Sequence, residues 1–170
     1  MKKTVIKYGL IGGAIVSLFM VFTMPFFDSE AIMDYGELIG YTSMIISSTT
    51  IFIGIRTYRN EELGGVISFG KAFLLGLYIA LVAATLYVIT WMILSGVFMP
   101  DFMENYTAAI LEGMQEAGKN QAEIALQMKE LETWSELYKN PLFKILFTYM
   151  EILPVGLIVS LISAAILKKK

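Results

Sequence analysis

One carboxylate interrupts the last long apolar run of the sequence: "TYMEILPVG", residues 148–156, carries Glu151 three positions before Pro154. Within a bilayer an ionised acid near mid-span costs at least about 2.5–3.5 kcal/mol on insertion scales, so Glu151 is expected to face other helices. Pro154 lacks an N–H, which frees the carbonyl of Met150 and predicts a bend beside the acid. The helical rise from Leu142 puts Glu151 about 12–14 Å deep. Ser43 and Ser47 of an earlier run, and Tyr87, Thr90 and Trp91 of another, fall at similar depth. The basic residues lie at other levels, so desolvation favours the neutral acid. Two chemistries fit: a proton- or cation-responsive group at a kink, or a neutral polar clip that donates a hydrogen bond to a freed carbonyl or a neighbouring hydroxyl.

A second stretch, "GVISFGKA" at 65–72, matches a phosphate-cradling P-loop in all but its last residue. The match fails on chemistry. Ala72 stands where Ser or Thr must hold magnesium, the spacer is apolar, and an apolar helix rather than a strand–loop–helix context surrounds it. The plain reading is an interfacial turn: Val66, Ile67 and Phe69 dip toward lipid while Arg56, Arg59 and Lys71 meet lipid phosphates at the membrane surface. The chain has no cysteine and no histidine, which removes thiol nucleophiles, disulfides, the usual zinc and haem ligands and the commonest proton shuttle. No catalytic residue, cofactor or metal is expected, and no nucleic-acid partner. The eleven methionines read as core filler rather than a copper site.

The elements that hold these residues follow from hydropathy. At 56% hydrophobic and a mean hydropathy of +0.67, the chain is too apolar for an ordinary soluble domain. Crossing a bilayer core takes roughly 20 apolar residues in a helix, and four runs suffice: 8–27, 35–55, 72–99 and 142–167. The third is longer than needed, so it tilts or protrudes. Asp34 with Glu37, and Asp101 with Glu104, have capping-box spacing; Asn140 before Pro141 supplies a cap and a first-turn proline. Lys2, Lys3 and Lys7, then Arg56, Arg59 and Lys71, then Lys168, Lys169 and Lys170 all fall on one side of this threading, which the positive-inside rule makes cytoplasmic. Asp28, Glu30 and Asp34 fall on the other. A cleaved secretory signal is the rival reading of the first run, because Ser29-Glu30-Ala31 has small-x-small spacing; the apolar stretch is long for that purpose.

Helices in lipid associate through small residues and polar contacts. Gly9, Gly13 and Ser17 form such a seam in the first run; Gly36, Gly40, Ser43, Ser47, Thr50 and Gly54 in the second; Gly76, Ala80 and Ala84 in the third; Gly156, Ser160 and Ala164 in the fourth. A packed four-helix bundle explains them better than a polar conduit, because Ser and Thr bond readily to their own helix. The segment 101–139 is polar but periodic: Met103, Tyr106, Ile110 and Met114 form one stripe, and Ile124, Met128, Leu131, Trp134 and Tyr138 another. Gly118 separates them, and Asn120 with Glu123 restarts a helix. An extracytoplasmic amphipathic hairpin is expected, either an acidic platform for a partner or cation, or two stripes packed on each other or on the membrane surface.

Three stretches, "GYTSMIISSTTIFIGIRTYRN", "GGVISFGKAFLLGL" and "YKNPLFKILFTYMEILPVGLIVSLISAAILKKK", make the chain similar to the domain of unknown function 4199 family, small multi-pass membrane proteins of Bacteroidota. The resemblance covers nearly the whole chain. It implies four membrane helices and sets Arg56, Tyr58, Arg59, Gly64, Gly65, Gly70, Lys71, Pro141, Glu151, Pro154 and Gly156 in its motifs; it implies no activity. The expectation is an all-α, single-domain, four-span inner-membrane protein with both termini cytoplasmic. Its partners are the lipid bilayer and other membrane or envelope proteins. A non-enzymatic structural or interaction role leads, and a small transporter or ion-responsive element centred on Glu151 is the alternative. An enzyme ranks behind both, since no nucleophile and base pair of recognisable type is present.

Overall fold

A computed structural model describes residues 1–26 and 30–169, with 30–34 described as helix only. The expected cleavage site at residues 29–31, the acids of the first loop (Asp28, Glu30, Asp34) and Lys170 therefore lie outside what can be compared. Six α-helices follow in order: α1 Lys2–Thr23, α2 Glu30–Thr57, α3 Phe69–Ile93, α4 Phe102–Glu116, α5 Gln121–Tyr138 and α6 Pro141–Leu167. A short 3-10 turn, Met24–Phe26, extends α1, and π-helical turns extend α2 (Tyr58–Glu62) and α3 (Leu94–Phe98). With these extensions, Lys2–Phe26, Tyr35–Glu62, Phe69–Phe98 and Pro141–Leu167 are long and apolar enough to cross a membrane.

Two helix starts differ from expectation. α2 begins at Glu30, ahead of the expected start at Asp34; the stretch before Gly36 holds helix-favouring Glu, Ala and Met. Asp101 does precede α4, but its side chain makes no capping bond. Its φ of −93° and ψ of 18° are not the extended geometry from which a cap side chain reaches back over the first turn. Asn120 has that geometry, at φ −75° and ψ 160°, and closes a full capping box with Glu123. Asn140 also caps as expected, its Oδ1 accepting from the N–H of Leu142 at 2.9 Å.

The described chain forms two compact units. The first comprises Met1–Trp91 and Thr148–Lys170. In it α1 and α3 run parallel and meet in three rungs, each four residues on along both helices. A Cβ on Gly9 would lie 2.5 Å from that of Val82, and one on Gly13 2.8 Å from that of Leu86; at the third rung the Thr90 hydroxyl donates to Ser17 Oγ at 2.9 Å. α3 and α6 run antiparallel. A Cβ on Gly76 would meet Ser160 Oγ at 2.9 Å, and one on Gly156 would meet Ala80 Cβ at 2.7 Å. Gly12, absent from the expected seam, turns a second face of α1 to α2, where Thr50 Oγ1 occupies the space a Cβ would need. The seam of α2 is shorter than expected: Ser43, Ser47 and Thr50 are buried, but Gly40 has nothing within 4 Å of its would-be Cβ.

Between these contacts lie two apolar cores, one around Ile55, Ala72, Leu75, Ile79 and Ala164, the other around Val16, Met44, Ala84, Tyr87 and Ile152. The outward faces are equally apolar. Phe22, Ile45, Ile89, Met150 and Ile166 each expose half or more of their surface, a distribution that suits a hydrocarbon solvent better than water.

The second unit, Met92–Phe147, holds α4 and α5 joined by a turn in which Gly118 adopts φ +68°, a conformation that costs a non-glycine residue roughly 1 kcal/mol or more. Both expected stripes are only partly covered. Leu131 is buried, whereas Tyr106, Met128 and Trp134 stay exposed, because one helical partner shields less than half of a helix. Trp134 instead packs tilted against Phe143 and Phe147, at 6.0 and 5.3 Å between ring centroids.

Gly156→Ile is expected to destabilise the protein by about 1–3 kcal/mol through overpacking against Ala80. Gly40→Ala, with free space around it, is expected to be neutral or to stabilise by up to about 1 kcal/mol through helix propensity. Thermal unfolding in detergent distinguishes the two.

Candidate functional site

Glu151 is exposed at the side of the first unit rather than sealed inside it. This corrects the expectation that it faces the bundle. The cause is helical phase: the buried positions of α6 are Thr148, Ile152, Gly156, Ser160, Ser163, Ala164 and Leu167, and close packing needs that small-residue face turned inward. At about 100° per residue, Glu151 falls on the flank of the stripe, a step away from Ile152. From there its Oε1 accepts a long hydrogen bond from the Tyr87 hydroxyl, 3.5 Å away. Tyr87 itself is buried. On the same helix pair, two residues earlier on each helix, the Tyr149 and Thr85 hydroxyls share a 2.9 Å bond, a pairing with no sequence signal beyond two polar residues at compatible depth.

The other candidates scatter. Ser43 donates to the carbonyl of Gly40 in its own helix at 2.7 Å, and Thr90 bonds both Ser17 and the carbonyl of Leu86. Ser47 crosses to α1 and donates to the carbonyl of Gly12 at 2.7 Å. Pro154 lies inside α6 as expected. Of the predicted set, then, only Tyr87 is brought to Glu151. The polar groups do not line a passage: Ser47, Thr50, Ala80, Ala83, Ile152 and Gly156 border a void of about 10 Å³, room for one water at most. Every buried side-chain nitrogen or oxygen among the described residues has a hydrogen-bond partner.

At the opposite end from these residues, the first unit gathers its basic side chains. Thr4 donates to Glu62 at 2.8 Å and Tyr8 bonds Thr57 at 3.0 Å, tying α1 to the end of α2. The Arg59 guanidinium donates to the carbonyl of Leu167 at 3.1 Å, and Lys71 Nζ lies 5.8 Å from the centroid of the Tyr58 ring; Arg56 is exposed. Two backbone bonds, 2.9 and 3.1 Å, pair Ile67 with Lys169. This bridge corrects the reading of the 65–72 turn. In an extended segment alternate side chains point opposite ways, so Val66 is exposed while Ile67 is 2% exposed and belongs to the core. It does not dip into lipid. No strand forms there among the described residues, only the isolated bridge, so the phosphate-loop match has no structural counterpart.

These elements, from α1 through the bridge at Lys169, coincide with the span of one family. The family described as protein of unknown function (DUF4199) matches residues 7–169. The chain belongs to the DUF4199 family. No match to a curated protein or to a solved structure was found. The DUF4199 match covers residues of both units, the small-residue helix contacts and the α4–α5 hairpin alike.

The geometry ranks the polar residues by consequence. Ser47→Ala, which removes a buried bond between helices, is expected to cost about 0.5–1.5 kcal/mol. Tyr87→Phe and Glu151→Gln are expected to couple by less than about 0.5 kcal/mol in a double-mutant cycle, because their contact, at 3.5 Å, is long. Unfolding in detergent of the single and double variants supplies the cycle.

Proposed function

We propose that this DUF4199 protein is a multi-pass inner-membrane protein with a non-enzymatic structural or interaction role. Its four long helices span the bilayer, both termini are cytoplasmic, and the hairpin of α4 and α5 lies on the outer side. The observation that carries the reading is the contrast between the two units. One closes its small residues and hydroxyls on each other and turns apolar side chains outward. The other is polar, with eight acids against three lysines over residues 101–139, and keeps much of its surface uncovered.

The orientation rests on the basic end. Lys2, Lys3, Lys7, Arg56, Arg59, Lys71, Lys168 and Lys169 belong to helix ends that the Thr4, Tyr8, Arg59 and Ile67 contacts bring together. Holding such a cluster back from translocation is the stronger topological signal. The alternative, transport or ion response at Glu151, would need polar groups converging at mid-depth. Dispersed, locally satisfied hydroxyls and a flank position for the acid favour the interaction reading.

Because the chain has no cysteine, single cysteines report topology directly. A membrane-impermeant maleimide applied to intact cells with a permeabilised outer membrane is expected to label Gln115→Cys and to leave Lys169→Cys unlabelled until the inner membrane is opened. Glu151→Gln is expected to co-purify with the same native-membrane proteins as the wild type. Loss of an ion- or pH-dependent flux in vesicles carrying Glu151→Gln would instead favour the transport reading.

A further inference from the structure

Between α4 and α5 the second unit carries an open groove of about 370 Å³. Met103, Thr107, Ala108 and Leu111 of α4 form one side, and Leu131 and Ser135 of α5 the other. Leu131 is buried at its floor and Met103 and Leu111 are half-buried, while Ala108 is exposed and small. From 103 to 111 the groove follows α4 for about 12 Å, a little over two turns, by the rise per residue. Two packed helices with an uncovered furrow between them present the seat that a third helix fills in a bundle. The rim is charged. Glu104 and Glu132 stand on opposite walls, both exposed, and neither belongs to a salt bridge among the described residues. None of the hairpin's three lysines lines the groove: Lys119 and Lys139 are engaged with Glu123 and Glu136, and Lys129 is exposed on α5 outside the lining.

We propose that this groove receives an amphipathic helix of a partner polypeptide, with a small apolar face seated on Leu111 and Leu131 and flanking lysine or arginine residues opposite Glu104 and Glu132. The proposal rests on the interaction reading above and names the partner's chemistry. An apolar floor between two acidic walls is the complement of a helix with basic shoulders. A divalent cation fits poorly, since the described residues hold no cluster of three candidate ligands and hard cations need converging oxygens. A phospholipid surface fits poorly too, because its phosphates would meet the two carboxylates.

The test uses the full chain in nanodiscs of zwitterionic lipid and two synthetic helical peptides of about 18 residues, five turns by helix geometry. Both carry the same Leu/Ala stripe, one flanked by lysines and the other by glutamates. The lysine peptide is expected to bind at least about tenfold more tightly than its twin. The double variant E104K/E132K is expected to reverse that preference, and Ala108→Trp, which fills the groove from an exposed position, is expected to abolish binding without lowering thermal stability. Equal binding of the two peptides, binding that survives Ala108→Trp, absence of binding, or equal adsorption to empty nanodiscs would each overturn the proposal. Photo-crosslinking residues at Ala108 and at Thr133, outside the groove, separate this failure from that of the broader reading. Adducts in native membranes at Thr133 alone would end the groove proposal and leave an interaction role standing; none at either position would end both.

Discussion

Close approach of helix backbones is the constraint on which the first unit depends. Burial of apolar side chains against one another yields little in hydrocarbon, so the helices must gain their attraction from dispersion at short range and from polar contacts. Gly9 and Gly13 on α1, Gly76 on α3 and Gly156 on α6 provide that range. A Cβ at any of them would lie within 3.0 Å of a neighbouring side chain. The rungs between α1 and α3, and those between α3 and α6, repeat every four residues. That spacing keeps one face of each helix in register over several turns.

Polar groups follow from the same geometry. Where backbones nearly touch, a hydroxyl can cross to the neighbouring helix, as Ser47 does to the carbonyl of Gly12. Elsewhere it folds back, as Ser160 does to Gly156. Glu151 is carried to the flank of the packed face by the phase of α6, with the Tyr87 hydroxyl within reach. The position of the acid is thus a consequence of how α6 must be rotated.

Much of this was legible in the residues. Run lengths and hydropathy marked the four long helices, and the small-residue spacing in α3 and α6 named the contacts that form. Asn120, Glu123 and Asn140 announced helix starts by side-chain chemistry alone. What escaped depends on rotation or on distant partners. Glu151 was assigned to the bundle from the cost of burying charge in lipid, while the neighbouring Ile152 and Gly156 decided which way the helix faced. Ile67 was assigned to lipid because its turn is apolar, but its direction is set by Lys169. Asp101 has the right type and position for a cap and the wrong backbone angles, which no single-sequence pattern reports.

The backbone pairing of Ile67 with Lys169 joins positions about a hundred residues apart, and with the Arg59 bond to Leu167 it is among the highest-contact-order ties of the first unit. During synthesis the loop after α2 leaves the ribosome long before its bridge partner Lys169 exists. Its final shape, with Ile67 tucked into the core, therefore waits until α6 has been made. Closure of the basic end thus follows synthesis of the last helix.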